Sequence, residues 1–199
     1  MLENLPIYKT QAKYFVDFVE QNGIKMVCFD FDNTIIDQHT SGSIPRDIVT
    51  SVKNYITEDF RLVAKELISR GIKIAVVTFS DVKFAKDLNK TVGGELLVKE
   101  VLADICPDIL IYARYPRYYQ KPSEYEKIGL KEPMHISKNY HLQQAANDSG
   151  FALSEIILID DDINNCEHAH KLGVLAFHVF GDMGFKLSNI KSIQSARLA

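Results

Sequence analysis

The chain has 199 residues, of which 46% are apolar and 25% are charged, and its formal net charge is −3. These values are typical of one globular domain with a substantial core, and they give no general argument for binding to nucleic acids or to membrane surfaces. Three scattered cysteines argue against a disulfide framework, and the sequence has neither a membrane-length apolar run nor a signal-peptide pattern, so we expect a cytoplasmic protein.

The first predicted elements are a helix over residues 10–22 and a buried strand over residues 26–29, which ends abruptly at Asp30 and Asp32. In open α/β sheets, ligands bind beyond the carboxyl ends of such strands, and if the strand continues extended, the two carboxylates share one face. Two anions held together repel each other unless a cation lies between them, which favours a hard metal ion such as Mg²⁺. The simpler alternative is a capped turn, because Asp, Asn and Thr are common in loops.

A polar turn over residues 37–44 contains a glycine and is a candidate flap beside this site. Helical spacing then extends from Pro45 to Gly71, with a break predicted at Thr57. This connection leaves no room for a separate inserted domain.

Strands and helices alternate along the rest of the chain. The predicted elements, in order, are a strand at 72–77 ending at Thr78, helices at 82–91 and 95–105, a strand at 108–113, an irregular segment at 114–133, a helix from Ser137 to Ala146, a strand at 156–159, a helix at 163–172 and a strand at 174–179. This alternation predicts a doubly wound, parallel α/β sheet of five strands. In the C-terminal tail, residues 181–199, apolar residues are spaced in a way that suggests a docking helix.

Polar residues of complementary chemistry follow the predicted strands or open the helices. The sequence resembles the haloacid dehalogenase-like hydrolases, whose motifs match here as follows: Asp-x-Asp-x-Thr at Asp30, Asp32 and Thr34; a strand-ending Thr at Thr78; a helix-opening Lys at Lys138; and Asp-Asp-x-x-x-Asn at Asp160, Asp161 and Asn165. The resemblance covers residues 25–180. It implies a single domain over residues 1–199, a Rossmann-like sheet with the spatial strand order 3-2-1-4-5, and no large cap domain.

The resemblance also implies a function, that of a Mg²⁺-dependent phosphomonoester hydrolase similar to the uncapped magnesium-dependent phosphatases. Asp30 would be the nucleophile that forms an aspartyl-phosphate, and Asp32 would be the general acid and base. Thr78 and Lys138 would hold the phosphoryl oxygens. The metal ligands would be Asp30, the backbone carbonyl of Asp32, and Asp161 or Asp160.

Several alternatives remain open at this point. Lys121, which precedes a proline, competes with Lys138 for the third motif, although spacing favours Lys138. A receiver domain of a two-component system is a second alternative; it has acids, a threonine and a lysine around Mg²⁺ as well, but in a different order along the chain. A phosphotransferase, or a non-catalytic protein that binds phosphate, would retain the same fold.

Substrate recognition is expected from the end of the third strand and the loop that follows it. Residues 112–121 contain four tyrosines and three cations, and we predict that Arg114 and Arg117, together with Ser80, contact the substrate. The competing interpretation is a structural loop whose rings pack on the sheet edge. The expected partner is a phosphorylated small molecule or phosphopeptide. The net charge does not support a nucleic acid as the partner. The sequence does not indicate an oligomeric state.

Overall fold

The computed structural model describes residues 5–193, with side chains from residue 10 onward. The strands are β1 (Met26–Phe29), β2 (Ser43–Pro45), β3 (Lys73–Thr78), β4 (Thr91–Gly93), β5 (Leu110–Ala113), β6 (Ile156–Asp160), β7 (Leu175–Val179) and β8 (Ile190–Ser192). The helices are α1 (Leu5–Gln21), α2 (Val49–Val52), α3 (Glu58–Ser69), α4 (Gly94–Leu102), α5 (Pro122–Tyr125), α6 (Asn139–Ser149) and α7 (Ile163–Lys171).

Within these residues the main sheet has six strands in the order β5-β3-β1-β6-β7-β8. The first five are parallel to one another, so the predicted doubly wound sheet and its order 3-2-1-4-5 are confirmed. The sixth strand, β8, is antiparallel to β7 and comes from the C-terminal tail. The docking helix suggested for the tail is therefore wrong for residues 190–192, while residues 194–199 lie outside the described residues.

The central strand β1 is buried on both faces, as its apolar sequence predicts. Val27 and Phe29 join a core that packs under α1, α3 and α4, whereas Met26 and Cys28 pack under α6 and α7. All three cysteines are free and buried. Among the described helices, none has both the length and the apolar content of a membrane span.

The helical region between β1 and β3 is interrupted where the sequence predicts a break. Thr57 has an extended backbone, and its hydroxyl accepts a hydrogen bond from Phe60 N at 3.3 Å, which caps α3. Ahead of it, residues 46–55 form short helical turns rather than one continuous helix.

The helix predicted over residues 82–91 is wrong. A single helical turn at Val82–Phe84 ends at Ala85, and Asp87 then organises a turn by accepting hydrogen bonds from Asn89 N, Lys90 N and Thr91 N. Residues 91–93 continue as β4, which pairs antiparallel with β2 in the predicted flap. Pairing with a distant segment has overridden the local helical pattern.

The tail is part of the core, because the Phe185 side chain is fully buried. Its ring packs edge-to-face on Phe29 at 5.6 Å and on Phe15 at 6.5 Å between centroids. The backbone N–H of Phe185 also donates to Thr34 O at 2.8 Å, so the tail contacts the turn that follows Asp30.

We expect Phe185→Ala to lower the free energy of unfolding by about 3–5 kcal/mol, because it leaves a cavity against Phe15 and Phe29. Met183→Ala is the matched control, since Met183 is 55% exposed and its truncation should change stability by no more than about 0.5 kcal/mol. Urea denaturation measures both variants. Equal, small effects would contradict the packing of the tail.

Candidate active site

Asp30 lies where β1 gives way to a wide turn. Its backbone N–H still pairs with Ile159 O at 2.9 Å, but its side chain already accepts a hydrogen bond from Phe31 N at 2.7 Å. The strand does not continue extended to Asp32, because the chain turns over Phe31–Ile35, where Asn33 adopts a left-handed conformation with φ of 54°. Asp30 and Asp32 nevertheless line the same cavity, which the turn allows.

The side chain of Lys138, at the start of α6, is buried beneath this cavity with 1% of its surface exposed. Its ammonium donates to Asp30 Oδ1 and to Val77 O, each at 2.8 Å, and lies 3.8 Å from Asp160 Oδ2. Burial alone would lower the pKa of Lys138, but the charges of Asp30 and Asp160 outweigh it and hold the pKa above its usual value. Lys138 is therefore a fixed positive charge at Asp30.

Asp30, Asp160 and Asp161 form a cluster of acids around this ammonium. One carboxylate oxygen from each lies within 4.8 Å of the others, close enough for one cation to contact all three. Asp160 is fully buried and accepts hydrogen bonds from Asp162 N at 2.9 Å and from Asn165 Nδ2 at 3.1 Å, whereas Asp161 lines the cavity.

The acids of the cluster carry an excess of negative charge. Burial is the larger cause and the negative charge of Asp30 the second, and together they raise the pKa of Asp160 to about 8 and the pKa of Asp161 to about 6. A hard divalent cation would supply the missing positive charge, and carboxylate oxygens are the ligands that Mg²⁺ prefers. The three acids therefore fit a Mg²⁺ site in which Asp30 and Asp161 line the cavity and Asp160 lies behind them.

Asp32 is held in place by the flap. Thr40 donates its backbone N–H to Asp32 Oδ2 at 3.0 Å and its hydroxyl to Asp32 Oδ1 at 2.9 Å. His39 Nδ1 lies 3.6 Å from Asp32 Oδ2, but it accepts a hydrogen bond from Ser41 N at 2.9 Å. Burial and the charge of Asp30 raise the pKa of Asp32 to about 6.

Thr78 and Ser80 follow β3 and both line the cavity. Thr78 Oγ1 accepts a hydrogen bond from Ser80 N at 3.3 Å, which leaves its hydroxyl hydrogen for a ligand. The Ser80 hydroxyl donates to Gly42 O at 2.7 Å and accepts from Gly94 N at 2.8 Å, so it connects the flap to the start of α4.

The cavity above these residues has a volume of about 420 Å³. Its polar lining comes mainly from the acids and hydroxyls described above, and its apolar lining comes from Phe79, Phe84 and Tyr115. Phe79 also lies over Lys138, whose ammonium is 4.3 Å from the ring centroid.

The cations of the irregular segment lie outside the cavity lining. Arg114 donates to Glu95 Oε1 at 3.2 Å and to Ala113 O at 2.8 Å, while Arg117 and Lys121 are exposed. Lys138 rather than Lys121 is therefore the lysine at Asp30. Substrate contacts by Arg114, Arg117 and Ser80 stay predictions.

Four residues of the site and its surroundings were missed by the sequence reasoning. Asn33 donates to Asp161 Oδ2 at 3.4 Å, Thr40 orients Asp32, and Phe84 and Tyr115 line one side. The signal for Tyr115 was present in the cluster of tyrosines, but the sequence reasoning assigned recognition to the neighbouring arginines.

Comparison with solved structures finds similar chains at low sequence identity. In the structure of DsGPDH of Dunaliella salina, the match covers 89% of this chain and only 27% of that chain, with a TM-score of 0.51 and 11% identity. For the cobalt-bound deoxy-D-mannose-octulosonate 8-phosphate phosphatase of Haemophilus influenzae, the match covers 79% of this chain and 70% of that chain, with a TM-score of 0.47 and 14% identity. For the HAD domain of the effector protein Lem4 of Legionella pneumophila, the match covers 83% of this chain and 90% of that chain, with a TM-score of 0.48 and 17% identity.

No protein-family model matches the chain, and no curated protein matches it. The sheet order and the motif residues at the carboxyl ends of β1, β3 and β6 are those that the sequence resemblance implies. The fold is haloacid dehalogenase-like. Within residues 5–193, no large cap domain covers the sheet edge of this haloacid dehalogenase-like fold.

We expect the protein to bind Mg²⁺ and Asp161→Asn to weaken that binding by about tenfold or more, because one anionic ligand is lost. Asp162→Asn is the matched control, since Asp162 caps α7 through Asn164 N at 2.9 Å and lies outside the three-acid cluster. Isothermal titration calorimetry with MgCl₂ measures all three proteins. Equal affinities in the two variants would contradict the assigned site.

Proposed function

We propose that this protein is a Mg²⁺-dependent phosphomonoester hydrolase that acts through an aspartyl-phosphate on Asp30. The observation that carries the proposal is the environment of the Asp30 carboxylate. Its Oδ1 is held by Lys138 Nζ and Phe31 N, which leaves Oδ2 to attack a phosphorus atom in the cavity.

The first step would form a bond from Asp30 to phosphorus and break the bond from phosphorus to the ester oxygen. Asp32 would give its proton to that leaving oxygen. In the second step Asp32 would take a proton from water as the water attacks phosphorus, which releases inorganic phosphate and restores Asp30. The two hydrogen bonds from Thr40 would keep Asp32 in place for both transfers.

The phosphoryl oxygens would be bound by groups at the floor of the cavity. Thr78 offers its hydroxyl hydrogen, and Lys138 offers a positive charge without needing to move. Mg²⁺, when bound by Asp30, Asp160 and Asp161, would add positive charge at the same oxygens. The backbone carbonyl of Asp32 is a further proposed ligand.

The substrate would be a phosphorylated small molecule or phosphopeptide, in the cytoplasm. A phosphotransferase, or a protein that binds phosphate without turnover, remains the alternative on the same fold. The presence of Asp32 beside the nucleophile favours catalysis over binding without turnover, because pure binding requires no proton donor.

The experiment that tests the proposal is hydrolysis of p-nitrophenyl phosphate with and without Mg²⁺. We expect activity that excess EDTA abolishes, and no activity in Asp30→Asn, because an amide is neither a nucleophile toward phosphorus nor an anionic ligand. Circular dichroism verifies that the variant is folded. Undiminished hydrolysis by Asp30→Asn would refute the mechanism.

A second test compares the two lysines. Lys138→Met should lower kcat by at least about 100-fold, since it removes a charged donor from the reacting group, as loss of one preorganised donor typically does. Lys121→Met should leave kcat within about twofold, because Lys121 is exposed and outside the cavity lining. If the two variants lose activity equally, the third motif is misassigned.

A further inference from the structure

Two aromatic side chains from different segments form one side of the cavity. Phe84 follows β3 and Tyr115 follows β5, and their ring centroids are 5.1 Å apart at an angle of 52°. Both residues are partly exposed and line the cavity. Tyr118 packs 5.2 Å from each of them but is outside the cavity lining, so it supports the pair from behind. We call Phe84 and Tyr115 the aromatic wall.

Buried contacts fix the loop that carries Tyr115. The Asp81 carboxylate is fully buried, and its Oδ2 accepts hydrogen bonds from Tyr115 N at 3.2 Å and from the Tyr119 hydroxyl at 2.9 Å. Its Oδ1 accepts from Lys83 N at 3.0 Å, beside Phe84. One buried acid therefore positions both halves of the aromatic wall.

The flap also contacts Phe84. Gly42 has φ of +84°, and a Cβ atom at this position would come within 2.7 Å of Phe84 Cδ2. The ring therefore packs directly on the glycine backbone. Because Gly42, Tyr115 and Tyr118 all pack against Phe84, the wall is preformed, and a ligand that contacts it meets little ordering cost.

The charges around the cavity limit the charge that the substrate can carry beyond its phosphate. No lysine or arginine belongs to the cavity lining within the described residues, and Arg114 is engaged by Glu95. Lys138 lies beneath the floor at Asp30. A second anionic group on the substrate would therefore meet acids, aromatic rings and the His39 imidazole, but no lysine or arginine of the cavity lining.

We propose that the aromatic wall selects phosphate monoesters whose leaving group carries a neutral, planar aromatic ring next to the ester oxygen, that is, aryl phosphates. This inference rests on the proposed hydrolase function and names its substrate class. The small cavity places the leaving group near the wall, and offset or edge-to-face contacts between rings add attraction beyond buried area. Tyrosine phosphate, free or in a peptide, and simple phenyl esters share this chemistry.

The kinetic test compares phenyl phosphate and O-phospho-L-tyrosine with O-phospho-L-serine and glycerol 2-phosphate. Because each variant is compared with the parent, the different reactivities of the leaving groups cancel. Phe84→Leu and Tyr115→Leu should each lower the aryl-to-alkyl ratio of kcat/KM by about 3- to 10-fold, mainly through a higher KM for the aryl esters. A tyrosine-phosphorylated peptide beside free phosphotyrosine tells which source of the aryl phosphate is favoured.

Two matched controls separate the wall from general effects on folding. Tyr115→Phe keeps the ring and should keep the ratio. Tyr14→Leu removes a ring that is 67% exposed and outside the cavity lining, and it should also leave the ratio within about twofold. An unchanged ratio in both wall variants, or an equal drop in Tyr14→Leu, would overturn the proposal.

A binding measurement on the parent protein keeps the inference testable without turnover or variants. Phenylphosphonate should bind at least about threefold more tightly than ethylphosphonate in calorimetric titration, since neither can be hydrolysed and only the ring differs. Equal affinities for the two phosphonates would overturn the proposal that the aromatic wall binds a ring. A clear preference for phenylphosphonate in a protein without phosphatase activity supports the wall and refutes the hydrolase.

Discussion

The buried ammonium of Lys138 is the interaction on which the candidate site depends. A charge with 1% of its surface exposed is costly unless it is paired and hydrogen-bonded, and here its partners come from the ends of three adjacent strands: Val77 O on β3, Asp30 after β1 and Asp160 on β6. Removing any partner would leave charge uncompensated in the core. The ammonium therefore draws the three strand ends together at the sheet edge where ligands of α/β folds bind. Three acids facing one ammonium still leave an excess of negative charge, which explains why the same cluster suits a divalent cation.

Most of the sheet could be predicted from the sequence, because the parallel strands are short apolar runs whose type does not depend on their partners. β1 and β6 are buried on both faces, and their sequences show it directly. The elements that were missed depend on contacts with distant segments. β4 forms because residues 91–93 pair with β2, which begins in the flap, and β8 forms because residues 190–192 pair with β7. A local helical pattern carries no information about such partners, so tertiary pairing overrode it at both places.

The candidate site divides in the same way. Asp30, Lys138 and Asp161 were accessible to sequence reasoning because each follows or opens a regular element with a recognisable pattern, and motif spacing ranked Lys138 above Lys121. Thr40 and Phe84 were not accessible, because turns bring them to the site and nothing in their local sequence reports the contacts with Asp32 and Gly42. The contact of Arg114 with the substrate stays a prediction; in the structure Arg114 lies outside the cavity lining and pairs with Glu95. That ion pair joins the loop after β5 to α4, so it appears only once the fold is known.

The four residues from Thr78 to Asp81 connect the proposed chemistry to the proposed selection. Thr78 lines the end of the cavity that is proposed to hold the phosphate, and the Phe79 ring lies over the ammonium that holds Asp30. Ser80 joins the flap to α4, and Asp81 fixes the loop that carries Tyr115. One short segment after β3 thus sets the position of the phosphate floor, the flap and the aromatic wall with respect to one another. Because Ser80 and Asp81 make these links while buried, the flap, the aromatic wall and the cavity floor are held in one arrangement before a ligand binds, which is the preorganisation that the proposed chemistry requires.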